Sequence, residues 1–128
     1  MYIEGKMNMR DIELLIDSGA NISLLNHELF LELEEDGKIE LKPYEVPMVT
    51  ADGTPMNVYG CAQFQFELGD EEGKYQHLLC VAEVGVDIIL GYDFLTKFKA
   101  VVDLGQGSIE LMDPPGVQRK RSKNAKLW

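Results

Sequence analysis

Leu14-Leu15-Ile16 runs straight into Asp17-Ser18-Gly19-Ala20, and a second apolar run, Ile22-Ser23-Leu24-Leu25, follows at once. The pattern sets one carboxylate in a glycine-permitted turn between two segments that both ask for burial. A half-buried acid is costly unless it is hydrogen-bonded or paired, so this one is a candidate site. Taken alone, an Asp-Ser-Gly tripeptide also reads as a solvated turn. The chemistry open to it is that of carboxylates working in pairs. Crowded like charges cannot both ionise, so one stays ionised and activates a water while the other, protonated, polarises a carbonyl. Asp17 alone has the right setting. Asp52 lies in an Asp-Gly hairpin turn, and Asp87 and Asp93 flank a strand and a helix without a hydroxyl-glycine turn. One such acid per chain makes a pair only when two chains meet across a two-fold axis.

Two further motifs stand downstream. Val49-Thr50-Ala51-Asp52-Gly53-Thr54-Pro55 is a turn flanked by alternating strand patterns, and Asp87-Ile88-Ile89-Leu90-Gly91-Tyr92-Asp93-Phe94-Leu95 is an apolar run, a glycine and an amphipathic segment. In this order and spacing the three motifs resemble the retropepsin family of aspartic proteases, most of all the protease domain of LTR retrotransposon (gypsy-type) polyproteins. The resemblance spans residues 2–112. It implies an all-β fold, a closed barrel forming half of an acid protease, with a flap hairpin and one or two short helices, that dimerises to complete its site. It further implies a homodimeric aspartic endopeptidase that processes polyproteins without cofactor or metal. The alternative is a retropepsin-like dimerisation or adaptor module with little or no proteolysis, and a further one is an acidic β-barrel binding module.

Residue by residue, the resemblance makes Asp17 the catalytic acid of each subunit. Ser18 would hydrogen-bond its counterpart across the dyad, and Gly19 would bring backbone close to substrate. Ala20, Asn21, Ala51, Asp52, Gly53, Thr54, Ile88 and Ile89 are the expected substrate-binding positions, the middle four in the flap that closes over the peptide. This chain departs from the viral pattern in two places. Where the viral enzymes commonly carry a paired acid and arginine it has Asn21 and Tyr92, and it continues past the second helix into a Gly105-Gln106-Gly107 hairpin.

The elements that must position these residues read as almost all β. Strands are expected over 2–8 and 10–16, a short strand over 22–25, and a helix through Glu35 with Asn26 as its N-cap. Strands at 39–41 and 46–50 lead into the Asp52-Gly53 turn, and a long strand returns over 56–68, where Phe64 and Phe66 alternate with glutamines and Glu67. Further strands are expected over 75–84 and 87–90, then a helix near 92–98 and a hairpin pairing 100–104 with 108–112.

At 128 residues the chain reads as one domain, residues 1–113, with a flexible basic tail over 114–128. Residues 1–116 hold 7 basic and 22 acidic residues, a balance of −15, whereas Arg119, Lys120, Arg121, Lys123 and Lys126 give the tail +5. An acidic body is not expected to bind nucleic acid, the tail excepted. No stretch has the length of a membrane span and the start lacks a signal peptide, so an intracellular, cytoplasmic or particle-enclosed protein is expected. Cys61 and Cys80 are read as reduced strand cysteines, at no zinc spacing from His27 or His77.

Overall fold

The computed structural model describes residues 1–34, 39–44, 48–49, 53–69, 74–112, 119–122 and 125–126, the last two segments and Met112 by their backbone. Strand β1 (Tyr2–Met7) and strand β2 (Arg10–Ile16) form a hairpin in which Met7 faces Arg10 across a two-residue turn. Asn8 and Met9 both adopt positive φ there, 51° and 65°. That is the turn whose twist matches the twist of the strands it joins.

Strand β3 (Leu24–Asn26) leads into helix α1 (His27–Leu33), and the Asn26 side chain accepts from the Leu29 amide at 2.9 Å, the expected N-cap. The Asn26 side-chain nitrogen also donates to Val84 O at 2.6 Å, tying the cap to the chain just past Ala82. Then come β4 (Val58–Leu68), β5 (Lys74–Ala82) and β6 (Ile88–Leu90), helix α2 (Tyr92–Lys97), and β7 (Val101–Asp103) paired with β8 (Ser108–Met112). The strands pair in the order β1-β2-β6-β3-β5-β4, and β4 returns to β1 through Gly5–Leu68 and Lys6–Glu67, closing a six-stranded barrel. Closure gives every one of the six strands two neighbours, β1 meeting β4 over Gly5 and Lys6.

Two pairings in this barrel are parallel. Strand β2 runs alongside β6, with Leu14, Leu15 and Ile16 opposite Ile88, Ile89 and Leu90, and β3 runs alongside β5. A parallel pair ends at the same edge, so the turn after Ile16 and the turn after Leu90 emerge side by side. This register fixes the site.

The barrel interior follows the two-residue period. Phe64, Phe66 and Leu68 of β4 and Tyr75, Leu79 and Val81 of β5 point inward. Phe94 of helix α2 and its C-cap Phe98 pack into the core, their rings 4.6 Å apart and 5.7 Å from Phe66 and 5.2 Å from Tyr75 respectively. Each such buried ring contributes roughly 1.5–3 kcal/mol, so a helix of six residues that could not hold alone is anchored by two.

Expectation and structure differ in three respects. Cys61 and Cys80 are not reduced thiols: they form a disulfide between directly opposed positions of β4 and β5, with Cα atoms 4.1 Å apart. A separation of 19 residues along the chain hides this neighbourhood until the register is known. The expected strands at 39–41 and 46–50 reduce, among the described residues, to isolated bridges, Lys42 with Cys61 and Val49 with Pro55. The extension expected over 114–128 contributes two strands, β9 (Arg119–Ser122) beside β8 and β10 (Ala125–Lys126) beside Tyr2 and Ile3. Strand β4 covers β1 only at Gly5 and Lys6, and β10 pairs with β1 at Tyr2 and Ile3.

Candidate active site

Asp17 is the first residue past β2. Its amide donates to Leu90 O at 3.0 Å, extending the β2–β6 ladder by one bond, and its carbonyl accepts from the Ala20 amide at 3.1 Å, closing the turn. Among the described residues its carboxylate takes one hydrogen bond, from the Gly19 amide to Oδ1 at 2.9 Å. A Cβ at position 19 would lie 3.2 Å from that oxygen, which favours glycine beside the acid. Asp17 and Ala20 are half-buried, while Ser18, Gly19 and Asn21 are exposed. The acid therefore stands on a stiff turn with most of its hydrogen-bonding capacity unused.

The second motif is stapled onto this turn. Tyr92 N donates to Ala20 O at 2.7 Å, and Gly91 N donates to Ser23 Oγ at 3.0 Å. Gly91 lies so close to the first motif that a Cβ there would meet Ala20 O at 2.6 Å and Ile22 O at 2.7 Å. Only glycine permits that approach. Asn21 is exposed and Tyr92 is 58 % exposed, so the positions that carry a charge pair in the viral pattern face solvent here.

Next to the staple lies a part-buried polar cluster. Asp93 Oδ1 accepts from Ser23 Oγ at 2.7 Å and from Phe94 N at 2.8 Å, and Oδ2 accepts from Ser23 N at 3.1 Å and from His77 Nε2 at 2.9 Å. Burial pushes the Asp93 carboxyl up, but the bonds from His77, Ser23 and Phe94 outweigh it and hold the group below the usual carboxylate range. The order of contacts is serine to aspartate to histidine, with the acid in the middle. His77 does not touch Ser23 Oγ in this arrangement, so the set is no nucleophile relay. It braces the fold. Sequence reasoning set these three aside, although one signal was available: His77 falls on the inward phase of β5 between Tyr75 and Leu79, and a buried imidazole needs a polar partner.

The remaining candidates separate by phase. Ile88 is fully buried in the main core with Leu90. Ile89 points the other way and is half-buried against a smaller cluster of Leu24, Cys61, Cys80 and Ala82. Met48 and Met56 join that cluster, and Met56 N donates to Met48 O at 2.8 Å across the stem of the expected flap. Gly53, at φ +86°, and Thr54 are exposed on its returning arm, whereas Ala51 and Asp52 lie outside the described residues. Asp87 has a structural partner, accepting from Glu13 N at 2.8 Å. Among the described residues no group of three or more His, Cys, Asp or Glu side chains could hold a metal, and no helix is long and apolar enough to cross a membrane.

A closed six-stranded barrel whose parallel strands deliver an Asp-Ser-Gly turn and a glycine-helix junction side by side is a retropepsin-like aspartic protease domain. The chain belongs to the family described as "gag-polyprotein putative aspartyl protease", whose family model matches residues 3–97. Its fold is similar to the crystal structure of the retroviral protease-like domain of Ddi1 from Leishmania major, with a TM-score of 0.68, 18% identity, and coverage of 87% of this chain and 86% of that one. It is also similar to the EIAV protease complexed with the inhibitor HBY-793, with a TM-score of 0.56, 20% identity, and coverage of 81% of this chain and 92% of that one.

Proposed function

We propose that this domain is one half of a homodimeric aspartic endopeptidase that cuts polyprotein junctions. Asp17 of two copies shares one proton around a water, which attacks the scissile carbonyl while the protonated carboxyl polarises it. The observation that supports this reading is the state of Asp17: a half-buried acid on a tight turn, held by Leu90 O and Gly19 N, whose second oxygen has no partner among the described residues. Ser18 bridges to its counterpart across the dyad, since a hydroxyl both donates and accepts. Gly19, Ala20 and Asn21 line the peptide path, Ile89 forms an apolar wall, and the hairpin carrying Ala51, Asp52, Gly53 and Thr54 closes over the substrate.

The test is cleavage of peptides spanning polyprotein junctions, with block by a statine-type inhibitor. The expected rate profile is a bell with its optimum on the acid side, roughly pH 4–6 by analogy with coupled carboxylate dyads. Excess Asp17→Asn chains should poison the parent through heterodimers, and specific activity should fall on dilution as dimers dissociate. Folded dimers that cleave nothing would instead favour a protease-like adaptor module. Activity retained by a monomer, or a rate that rises through pH 8, would remove the carboxylate dyad.

A further inference from the structure

The Ser23–Asp93–His77 cluster joins three elements that local structure does not hold together. Ser23 precedes β3, His77 lies in β5, and Asp93 opens α2. All four bonds to the Asp93 carboxylate converge from these elements, and Ser23 Oγ relays the contact to Gly91 N, one residue from the amide that grips Ala20 O. His77 is buried against Phe94, at 5.4 Å between ring centroids, and its Nδ1 has no hydrogen-bond partner among the described residues. Among the described residues its one polar contact is the bond to Asp93. A core position that accepts an imidazole with one nitrogen unsatisfied, where a phenyl ring would fill similar space, carries a cost that the Asp93 bond offsets.

We propose that Asp93 and His77 are positioning residues: through Ser23 and Gly91 they hold the second motif against the Asp17 turn and so set where Asp17 stands relative to its counterpart. The proposal rests on the dimeric protease reading for its catalytic consequence, but the staple itself is a property of one chain. Three contacts define it: Asp17 N to Leu90 O, Tyr92 N to Ala20 O, and Gly91 N to Ser23 Oγ. Asp93 is the side chain that anchors the last of them, and His77 fixes the carboxylate's outer oxygen. Two carboxylates that must share one proton tolerate little displacement.

The test compares Asp93→Ala, Asp93→Asn, His77→Phe and Ser23→Ala with the parent by two readouts. The first is amide hydrogen exchange, which needs no activity. Asp17, Gly91 and Tyr92 should exchange about tenfold faster in Asp93→Ala and His77→Phe, while amides of the β1–β2 hairpin hold their rates. His77→Phe keeps a ring in place and removes only the polar bond, so it remains informative if Asp93→Ala fails to fold. The second readout is kinetics on the folded fraction. Asp93→Ala should lower kcat about 100-fold with KM nearly unchanged, as misplacement of reacting groups does. Asp93→Asn keeps an oxygen for Ser23 Oγ and Phe94 N, and should recover kcat to within about tenfold of the parent. A purely structural role would lower the folded fraction and leave its kcat intact. Unchanged exchange at the three amides in both Asp93→Ala and His77→Phe would overturn the staple, and unchanged kcat in the folded variants would overturn the positioning role. A parent that cleaves no peptide would defeat the protease reading, and the exchange rates would still decide the staple.

Discussion

Asp17 and Asp93 lie on either side of the Gly91 junction, and they are treated in opposite ways. Asp93 is half-buried, with four hydrogen-bond donors on its two oxygens. Asp17, half-buried as well, has one donor among the described residues, supplied by its own turn. Both carboxylates are held by rigid backbone, so the difference is not one of order. It is one of unspent capacity: a saturated acid fixes structure, and an acid with an open oxygen is available to a water or a second carboxylate. The same chain thus uses one residue type as brace and as reagent, separated by how many donors the fold aims at each.

The sharpest way to break this comparison is Asp17→Asn. The amide is nearly isosteric, and its loss removes no cross-strand support, so the melting temperature and dimer should persist while peptide cleavage falls about 10³-fold or more. Activity within about tenfold of the parent would assign the chemistry elsewhere.

Reduction of the Cys61–Cys80 disulfide probes a region that touches neither acid. The bond closes a loop of 19 residues, for which chain entropy gives about 3 kcal/mol. Thermal denaturation with and without a dithiol reductant should show a fall of several degrees, and at temperatures where the reduced chain stays folded its cleavage rate should match the oxidised form. A large rate loss without unfolding would mean that the cluster beneath Met48 and Met56 governs the cleft.

Gly91→Ala places a methyl within 2.6–2.7 Å of Ala20 O and Ile22 O. The overpacking should cost about 1–3 kcal/mol, measurable as a shifted denaturant midpoint, and should loosen both acids together because both motifs meet at this glycine. A neutral effect would show that the two turns can part freely.

The smallest expected effect is the pH dependence of Asp93. Its native value lies below the ordinary carboxylate range. The unfolded chain therefore binds its proton first as pH falls, and the stabilisation from Asp93 is complete above about pH 4 and is lost as pH drops through its depressed native value. The melting temperature of the parent should fall in that interval, and Asp93→Asn should flatten the slope there. Equal slopes in the parent and Asp93→Asn would contradict the hydrogen-bonded brace.

Much of this molecule is legible residue by residue. The β1–β2 hairpin, the Asn26 cap and the inward phase of β4 follow from alternation and capping, which act over two to four residues. The Asp17 turn is legible for the same reason, as an acid and a glycine interrupting two apolar runs. Tertiary structure alone decides what stands beside it. Strands β2 and β6 are far apart along the chain, yet their parallel register brings Leu90 O to the Asp17 amide, and Ser23 meets Asp93 across 70 residues. The disulfide depends likewise on the β4–β5 register, and β10 on an edge of β1 that β4 leaves uncovered. Local propensity specifies which face of an element is apolar. Barrel closure specifies which faces meet, because pairing satisfies backbone groups and buries apolar surface for the whole sheet at once, and no short window of sequence carries that condition.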